Sequence, residues 1–319
     1  MRMRILGVMV LLAAGGCGDD TTSGMDMTTS ADMAVPDLST GATTARGEEL
    51  VKHLLFCGNC HTTPDAMGNP STDPNDFLAG GKSFTVNIGP DAGTATIYAP
   101  NLTPDSATGL GMWTTSQISD AVTVGVDNMG AAMWPTMPYQ RFASLTLEDS
   151  TSIALYLQSL PAKSHTVLED TASTAQAGAA FDFTSIPHTT LAATDAAFAS
   201  AERGRYLGIL GCLQCHTAPG SGPGGLDTTK PFAGGRSFGT FKSQNLTPDA
   251  TGLAGWTVND IVQTLQTDLE KGTGVMLAPQ MPGGLNALGG LSDPDLNDLA
   301  QYIHTLPPVM NGPFGHPDM

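Results

Sequence analysis

Four of the five cysteines lie in two pairs, and a histidine follows each pair. The two segments read Cys57-Gly58-Asn59-Cys60-His61 and Cys212-Leu213-Gln214-Cys215-His216. In this C-x-x-C-H spacing, two thiols can reach the two vinyl groups on one porphyrin edge while the adjacent imidazole binds the iron. One such motif alone is also compatible with a redox dithiol or with half of a zinc site. Two of them predict two covalently bound haem c groups, attached at Cys57, Cys60, Cys212 and Cys215 and ligated by His61 and His216.

A methionine followed by a proline stands downstream of each motif, at matching positions: Met137-Pro138 and Met281-Pro282. Methionine often fills irregular gaps in a core. As the sixth ligand of haem iron, however, it raises the reduction potential. Because the Met-Pro pair recurs, we predict Met137 and Met281 as the axial ligands opposite the histidines. Their rivals lack the following proline: Met133 and Met276, and more weakly Met129.

An internal repeat organises the rest of the chain. The sequence Asn-Leu-Thr-Pro-Asp occurs at residues 101–105 and again at 245–249, and a Gly-Gly loop precedes each copy. A repeated unit of this size indicates two copies of one domain. We therefore expect domains at 45–162 and 199–319, joined by an Ala/Thr/Ser-rich linker at 163–198.

The sequence predicts that the elements positioning these residues are helices. Capping boxes are predicted at Thr114 with Gln117 and at Thr257 with Asp260, and further helix starts at Thr146 and Ser292. The 38 Gly and 22 Pro fit long loops around a flat cofactor. The expected fold class is all-α: two tandem domains wrapped around covalently bound haem, with long Gly/Pro-rich loops.

The N-terminus is predicted to be a targeting segment. Residues 1–16 carry two arginines, then an apolar run, then small residues directly before Cys17. This order resembles a bacterial lipoprotein signal, in which Cys17 is lipidated; an ordinary secretory peptide is the alternative. Residues 17–44 have no apolar periodicity and are expected to form a disordered tether. We expect an exported protein on the periplasmic side of a bacterial membrane, anchored by lipid.

The net charge of −17 argues against nucleic acid as a partner, because no basic surface exists to neutralise phosphates. An acidic surface favours basic or polar docking partners instead.

With these motifs in place, both halves resemble the class I cytochrome c fold. More narrowly, residues 45–162 and 199–308 resemble the haem domains of cytochrome subunits in bacterial membrane-bound alcohol and sugar-acid dehydrogenases. The resemblance implies His61 and Met137 on one iron, and His216 and Met281 on the other. Those subunits commonly carry three such domains, whereas this chain has two motifs.

The expected function is electron transfer between an extracytoplasmic donor, such as a dehydrogenase, and an acceptor, with no enzyme activity of its own. The alternative is a two-haem peroxidase, which also has two motifs in a chain of this size. Peroxide chemistry needs an open iron position, and a Met-Pro pair in both halves favours the carrier.

Overall fold

The computed structural model describes residues 41–89, 93–172, 178–277 and 288–314. These residues belong to one compact unit that begins at Val35. The predicted signal peptide, Cys17, most of the predicted tether and Met281 lie outside the described residues. Within the described part of the chain, no helix is long and apolar enough to cross a membrane.

Repeat 1 begins with a helix that leads into the first haem motif and ends with a long helix that packs on it. Its elements are α1 (Thr44–Glu49), a π-helical turn (Leu50–Leu54), α2 (Gly58–His61), β1 (Ser83–Gly89), β2 (Gly93–Tyr98), α3 (Thr115–Thr123), α4 (Tyr139–Phe142) and α5 (Leu147–Ser159).

Repeat 2 follows the same order with a longer first helix and shorter strands. Its elements are α6 (Phe198–Gly211), β3 (Ser237–Phe238), β4 (Phe241–Lys242), α7 (Val258–Thr267) and α8 (Asp293–His304).

The first and last helices of each repeat cross so closely that a glycine is required. A Cβ atom built on Gly47 of α1 would lie 1.9 Å from the backbone oxygen of Ser152 in α5. On Gly204 of α6 it would lie 1.8 Å from the backbone oxygen of Asp298 in α8. Both distances are far below van der Waals contact, so only glycine allows these helices to approach.

The predicted helix starts are confirmed, with one change. Thr114 with Gln117, and Thr257 with Asp260, form complete capping boxes, and the Thr146 side chain caps α5. Ser292 precedes α8, but its side chain makes no capping hydrogen bond.

The expected all-α class is wrong, because each repeat contains an antiparallel hairpin after its Gly-Gly loop. In repeat 1, β1 pairs with β2 from Ser83 opposite Tyr98 to Gly89 opposite Gly93. In repeat 2, Ser237 pairs with Lys242 and Phe238 with Phe241. Threonine, valine and isoleucine are frequent in β1 and β2, and such β-branched residues favour strands. The haem motifs and helix caps predicted the helices but carried no information about this connection.

Buried ion pairs join the two repeats. The Arg46 guanidinium of α1 binds Asp149 of α5 at 2.9 Å and also binds Asp295 of α8. Arg203 of α6 binds the same Asp295 at 2.6 Å. The Tyr206 hydroxyl of α6 donates to Asp149 at 2.6 Å. The side chain of Asp295 is 1% exposed, so these charges are satisfied within the protein.

Candidate haem sites

The two motif histidines have the same orientation. The Nδ1–H of His61 donates to the carbonyl of Pro100 at 2.9 Å, and that of His216 donates to the carbonyl of Gln244 at 2.9 Å. A carbonyl oxygen can only accept, so Nδ1 must carry the proton in each ring. The lone pair on Nε2 is therefore free in both rings, as an iron ligand requires. Burial also lowers the pKa of both imidazoles, which favours the neutral form that binds metal.

The Asn-Leu-Thr-Pro-Asp sequence fixes these carbonyls in place. The Asn101 side chain donates to the carbonyl of Lys163 at 2.8 Å, and the Asn245 side chain donates to that of Val309 at 2.8 Å. Each asparagine thus joins two segments of its repeat. One follows the last helix, and the other carries the carbonyl that binds the histidine. The recurring motif is therefore a positioning element for the histidines.

The Gly-Gly loops hold the other side of the histidines. The amide of Gly80 donates to the His61 carbonyl at 2.6 Å, and that of Gly234 donates to the His216 carbonyl at 2.7 Å. A Cβ atom on either glycine would lie 2.6 Å or less from backbone atoms, and both have positive φ. Only glycine fits this turn without strain.

None of the four motif cysteines forms a disulfide bond with another. Burial raises the pKa of the Cys57 and Cys212 thiols to about 12. A redox dithiol needs a populated thiolate at neutral pH, so this environment does not suit one. Among the described residues, no group of three or more His, Cys, Asp or Glu side chains could hold a metal ion. The raised thiol pKa values disfavour the dithiol alternative, and the described residues bring no cluster together for zinc.

A cavity of about 390 Å³ lies beside His61 and is lined by three segments of repeat 1 and by the linker. Cys60, His61, Met133 and Met137 all line it. Met137 also packs against the hydrophobic core, whereas Met129 is 89% exposed. The cavity thus brings the predicted ligand pair together, and it brings the rival Met133 to the same place.

The hairpin and the linker cover this first cavity. Ile97 and Tyr98 of β2 line it, and the amide of Tyr98 donates to Asp170 of the linker at 2.9 Å. The Trp134 indole, another lining group, donates to the same carboxylate at 3.1 Å. One aspartate therefore ties the hairpin to the loop that precedes Met137.

For the second haem, the structure places His216 and both cysteines, while the axial methionine stays a prediction. Met281 lies outside the described residues. The rival Met276 is 62% exposed.

A second cavity, of about 820 Å³, lies between the repeats and receives residues from both motifs. Cys60 and Cys215, the second thiols of their motifs, both line it, as does Arg141 of α4. The Nε atoms of Arg141 and Arg236 are buried without a hydrogen-bond partner among the described residues. Lys82, the repeat-1 counterpart of Arg236, donates to the carbonyl of Asn59 inside the first motif at 2.9 Å.

These observations fit a covalently bound haem at each motif. In both repeats a histidine with an available Nε2 adjoins the two motif cysteines, and a cavity adjoins the first histidine. The buried Nε atoms of Arg141 and Arg236 could donate to a porphyrin carboxylate.

Sequence reasoning did not find the carbonyls of Pro100 and Gln244, because a backbone acceptor leaves no residue signature. The repeated Asn directly after each was the available signal. It also did not find Arg141, which acts across the repeat boundary and has no basic counterpart after Met281.

Comparison with known proteins supports the predicted resemblance. No model of a protein family matches the chain. A protein named di-haem cytochrome c-type from Cereibacter sphaeroides is 28% identical over 299 residues, which are 86% of this chain and 90% of that protein.

Two further relatives are subunits of dehydrogenases. The cytochrome c subunit of a quinone-type alcohol dehydrogenase from Gluconobacter oxydans is 28% identical over 83% of this chain. The cytochrome subunit of fructose dehydrogenase from Gluconobacter japonicus is 26% identical over 79% of this chain. The chain spans 55% and 50% of those two proteins. The resemblance to such cytochromes is confirmed, and so is the expectation of two haem c groups.

Proposed function

We propose that this chain is a two-haem electron carrier that passes electrons between a donor enzyme and an acceptor outside the cytoplasm. One observation carries the proposal: in both repeats a C-x-x-C pair adjoins a histidine whose Nδ1–H is held by a backbone carbonyl. When bound, haem c supplies reversible one-electron chemistry at iron. The chain attaches it, orients the imidazole and limits access of water.

The proposed iron ligands are His61 with Met137, and His216 with Met281. Met137 is preferred over Met133 because Pro138 follows it and because it packs against the core near His61. The pair at the second site rests on the sequence repeat.

The proposed donor is a membrane-bound dehydrogenase that oxidises an alcohol or a sugar. Support comes from relatives whose names identify them as cytochrome subunits of alcohol, fructose and gluconate dehydrogenases. Because these relatives are cytochrome subunits, they favour a carrier over an enzyme. We also propose that Cys17 is lipidated and anchors the protein on the periplasmic side of the membrane, as its position after small residues suggests.

The number and ligation of the haems test the proposal. After acid–acetone treatment, a pyridine haemochrome assay on the exported protein should retain about two haems per chain, and Cys212→Ala/Cys215→Ala should retain roughly half of them. The oxidised protein should be low-spin, with a methionine–iron charge-transfer band in the far red. Met137→Ala should remove about half of that band and open one haem to cyanide, because the sixth ligand is lost. Met133→Ala is the matched control and should leave the band intact.

The outcomes separate a carrier from a peroxidase. Haem that extracts into acetone would contradict covalent attachment. A high-spin haem in the unmutated protein, with peroxide turnover on the order of 10 per second or faster, would instead establish the two-haem peroxidase.

A further inference from the structure

Arg141 belongs to one repeat but contacts the haem motif of the other. It lies on α4, four residues after Met137, and so belongs to repeat 1. Its guanidinium nevertheless reaches the second motif, where Nη1 donates to the side-chain oxygen of Gln214 at 3.4 Å. Gln214 lies between Cys212 and Cys215. A residue of one repeat therefore contacts the attachment loop of the other.

The cation is partly removed from water and lacks a full set of partners. Its Nε is buried without a hydrogen-bond partner among the described residues. The guanidinium carbon lies 5.3 Å from the centre of the Phe142 ring. Burial and the neighbouring Arg236 lower the pKa of Arg141 to about 10, so the group remains positively charged at neutral pH.

Charge near a haem changes its potential in a known direction. Oxidation of iron from ferrous to ferric adds one positive charge, and a nearby cation disfavours that state. The effect is larger where water is excluded, because the effective dielectric constant is lower. Pairing of the guanidinium with a porphyrin carboxylate gives the same sign, since removal of the cation would leave that carboxylate uncompensated.

We propose that Arg141, carried by repeat 1, is a positioning residue that raises the reduction potential of the haem attached to repeat 2. The inference rests on the proposed function, because it requires a haem at Cys212 and Cys215. The matching cation for the first haem is Lys82, which contacts the first motif at Asn59 from within its own repeat. The first motif is thus contacted by a cation of its own repeat, whereas the second receives Arg141 from across the repeat boundary in addition to its own Arg236.

Potentiometric titration of the two-haem protein, followed in the visible spectrum, tests the proposal. In Arg141→Gln, one of the two one-electron transitions should move to lower potential by about 59 mV. This shift corresponds to a change of about tenfold in the ratio of reduced to oxidised haem at a fixed potential. Arg141→Lys should remain within about twofold of the unmutated protein because it keeps the charge. Lys82→Gln is the matched control and should lower the other transition. The transition that persists in Cys212→Ala/Cys215→Ala identifies the first haem.

Each result decides one question. If the unmutated protein holds fewer than two covalent haems, the proposed function fails and this inference fails with it. If two haems and two transitions are present, but Arg141→Gln leaves both unchanged or moves the first haem, only the inference is overturned. A low-spin spectrum and an unchanged melting temperature in Arg141→Gln exclude a merely structural effect. If Arg141→Gln does not fold, Arg141→Met, which also removes the charge, takes its place. A lower potential for the second haem alone supports the proposal, and unmoved transitions overturn it.

Discussion

The two repeats differ in the connection between the Gly-Gly loop and the asparagine that follows it. Repeat 1 makes this connection with a long hairpin, β1 with β2, whereas the strands of repeat 2 have two residues each. The histidines that hydrogen-bond to both ends of these connections nevertheless have matching partners. Each donates to the carbonyl directly before the asparagine, at 2.9 Å in both cases. The site geometry therefore depends on the ends of the connection, while its length is free to vary.

The two repeats differ in the groups that cover or contact each haem motif. The long hairpin and the linker aspartate Asp170 cover the first cavity, and repeat 2 has no comparable hairpin among its described residues. The second motif instead receives Arg141 from the neighbouring repeat. In the proposed two-haem protein, the shared contacts would set the position of each cofactor, and the unshared contacts would adjust its environment.

The largest expected effect tests the contact that both repeats share. Gly204→Ala and Gly47→Ala should each lower the free energy of unfolding by about 3 kcal/mol or more, because the added methyl overlaps the backbone of the last helix. Thermal unfolding of the haem-loaded protein, followed by circular dichroism, measures the loss. Gly208→Ala, one turn further along α6, is the control.

In that control the nearest atom to the added carbon is Tyr302 Cδ1 at 3.2 Å. The cost of this close contact should be offset by the better helix propensity of alanine, which is about 1 kcal/mol. If Gly204→Ala were as harmless as Gly208→Ala, the close crossing would not be what holds the repeat together.

A smaller effect tests the contact between the repeats. Arg46→Gln should destabilise the protein by about 2 kcal/mol, because it leaves Asp149 and Asp295 with fewer cationic partners. Arg203 remains on Asp295 and limits the loss. Urea unfolding gives the value. Lys52→Gln, which removes an exposed pair with Glu48, should cost at most about 0.5 kcal/mol. Equal losses in the two variants would argue against a buried link.

The smallest expected effect distinguishes the two capping boxes by how their contribution to stability depends on pH. Hydrogen bonds from Lys271 and Thr257 hold the pKa of Asp260 below its ordinary value of 3.8, whereas Gln117 in repeat 1 does not titrate. A depressed carboxyl pKa stabilises the fold above the unfolded value and loses that contribution as the pH falls. The stability difference between the unmutated protein and Asp260→Asn should thus be greatest above about pH 4 and shrink below it.

Melting temperatures measured from neutral to acidic pH test this expectation. Gln117→Ala serves as the comparison and should show a loss that does not depend on pH. A difference for Asp260→Asn that stays constant across the acid range would exclude the charged cap as its source.

The helix starts were predictable from the sequence because they depend on residue types at fixed short spacings, as Thr257 and Asp260 show. Covalent attachment at Cys212 and Cys215 follows from the same kind of spacing and stays a prediction. The hairpins were not predicted because the repeated motifs lie on either side of this connection, and the ten extra residues of the first copy have no counterpart in the second. The cross-repeat contacts of Arg46 and Arg141 could not be predicted, since they depend on how the repeats pack.

The buried thiol of Cys212 has a consequence for the order of events in the cell. With 7% of the residue exposed, and with the thiol kept protonated by its surroundings, it is poorly placed to react with an incoming vinyl group once repeat 2 has closed. If haem is attached there as proposed, thioether formation would have to precede the closure of repeat 2. A chain that folded first would be a poor acceptor for haem at this motif.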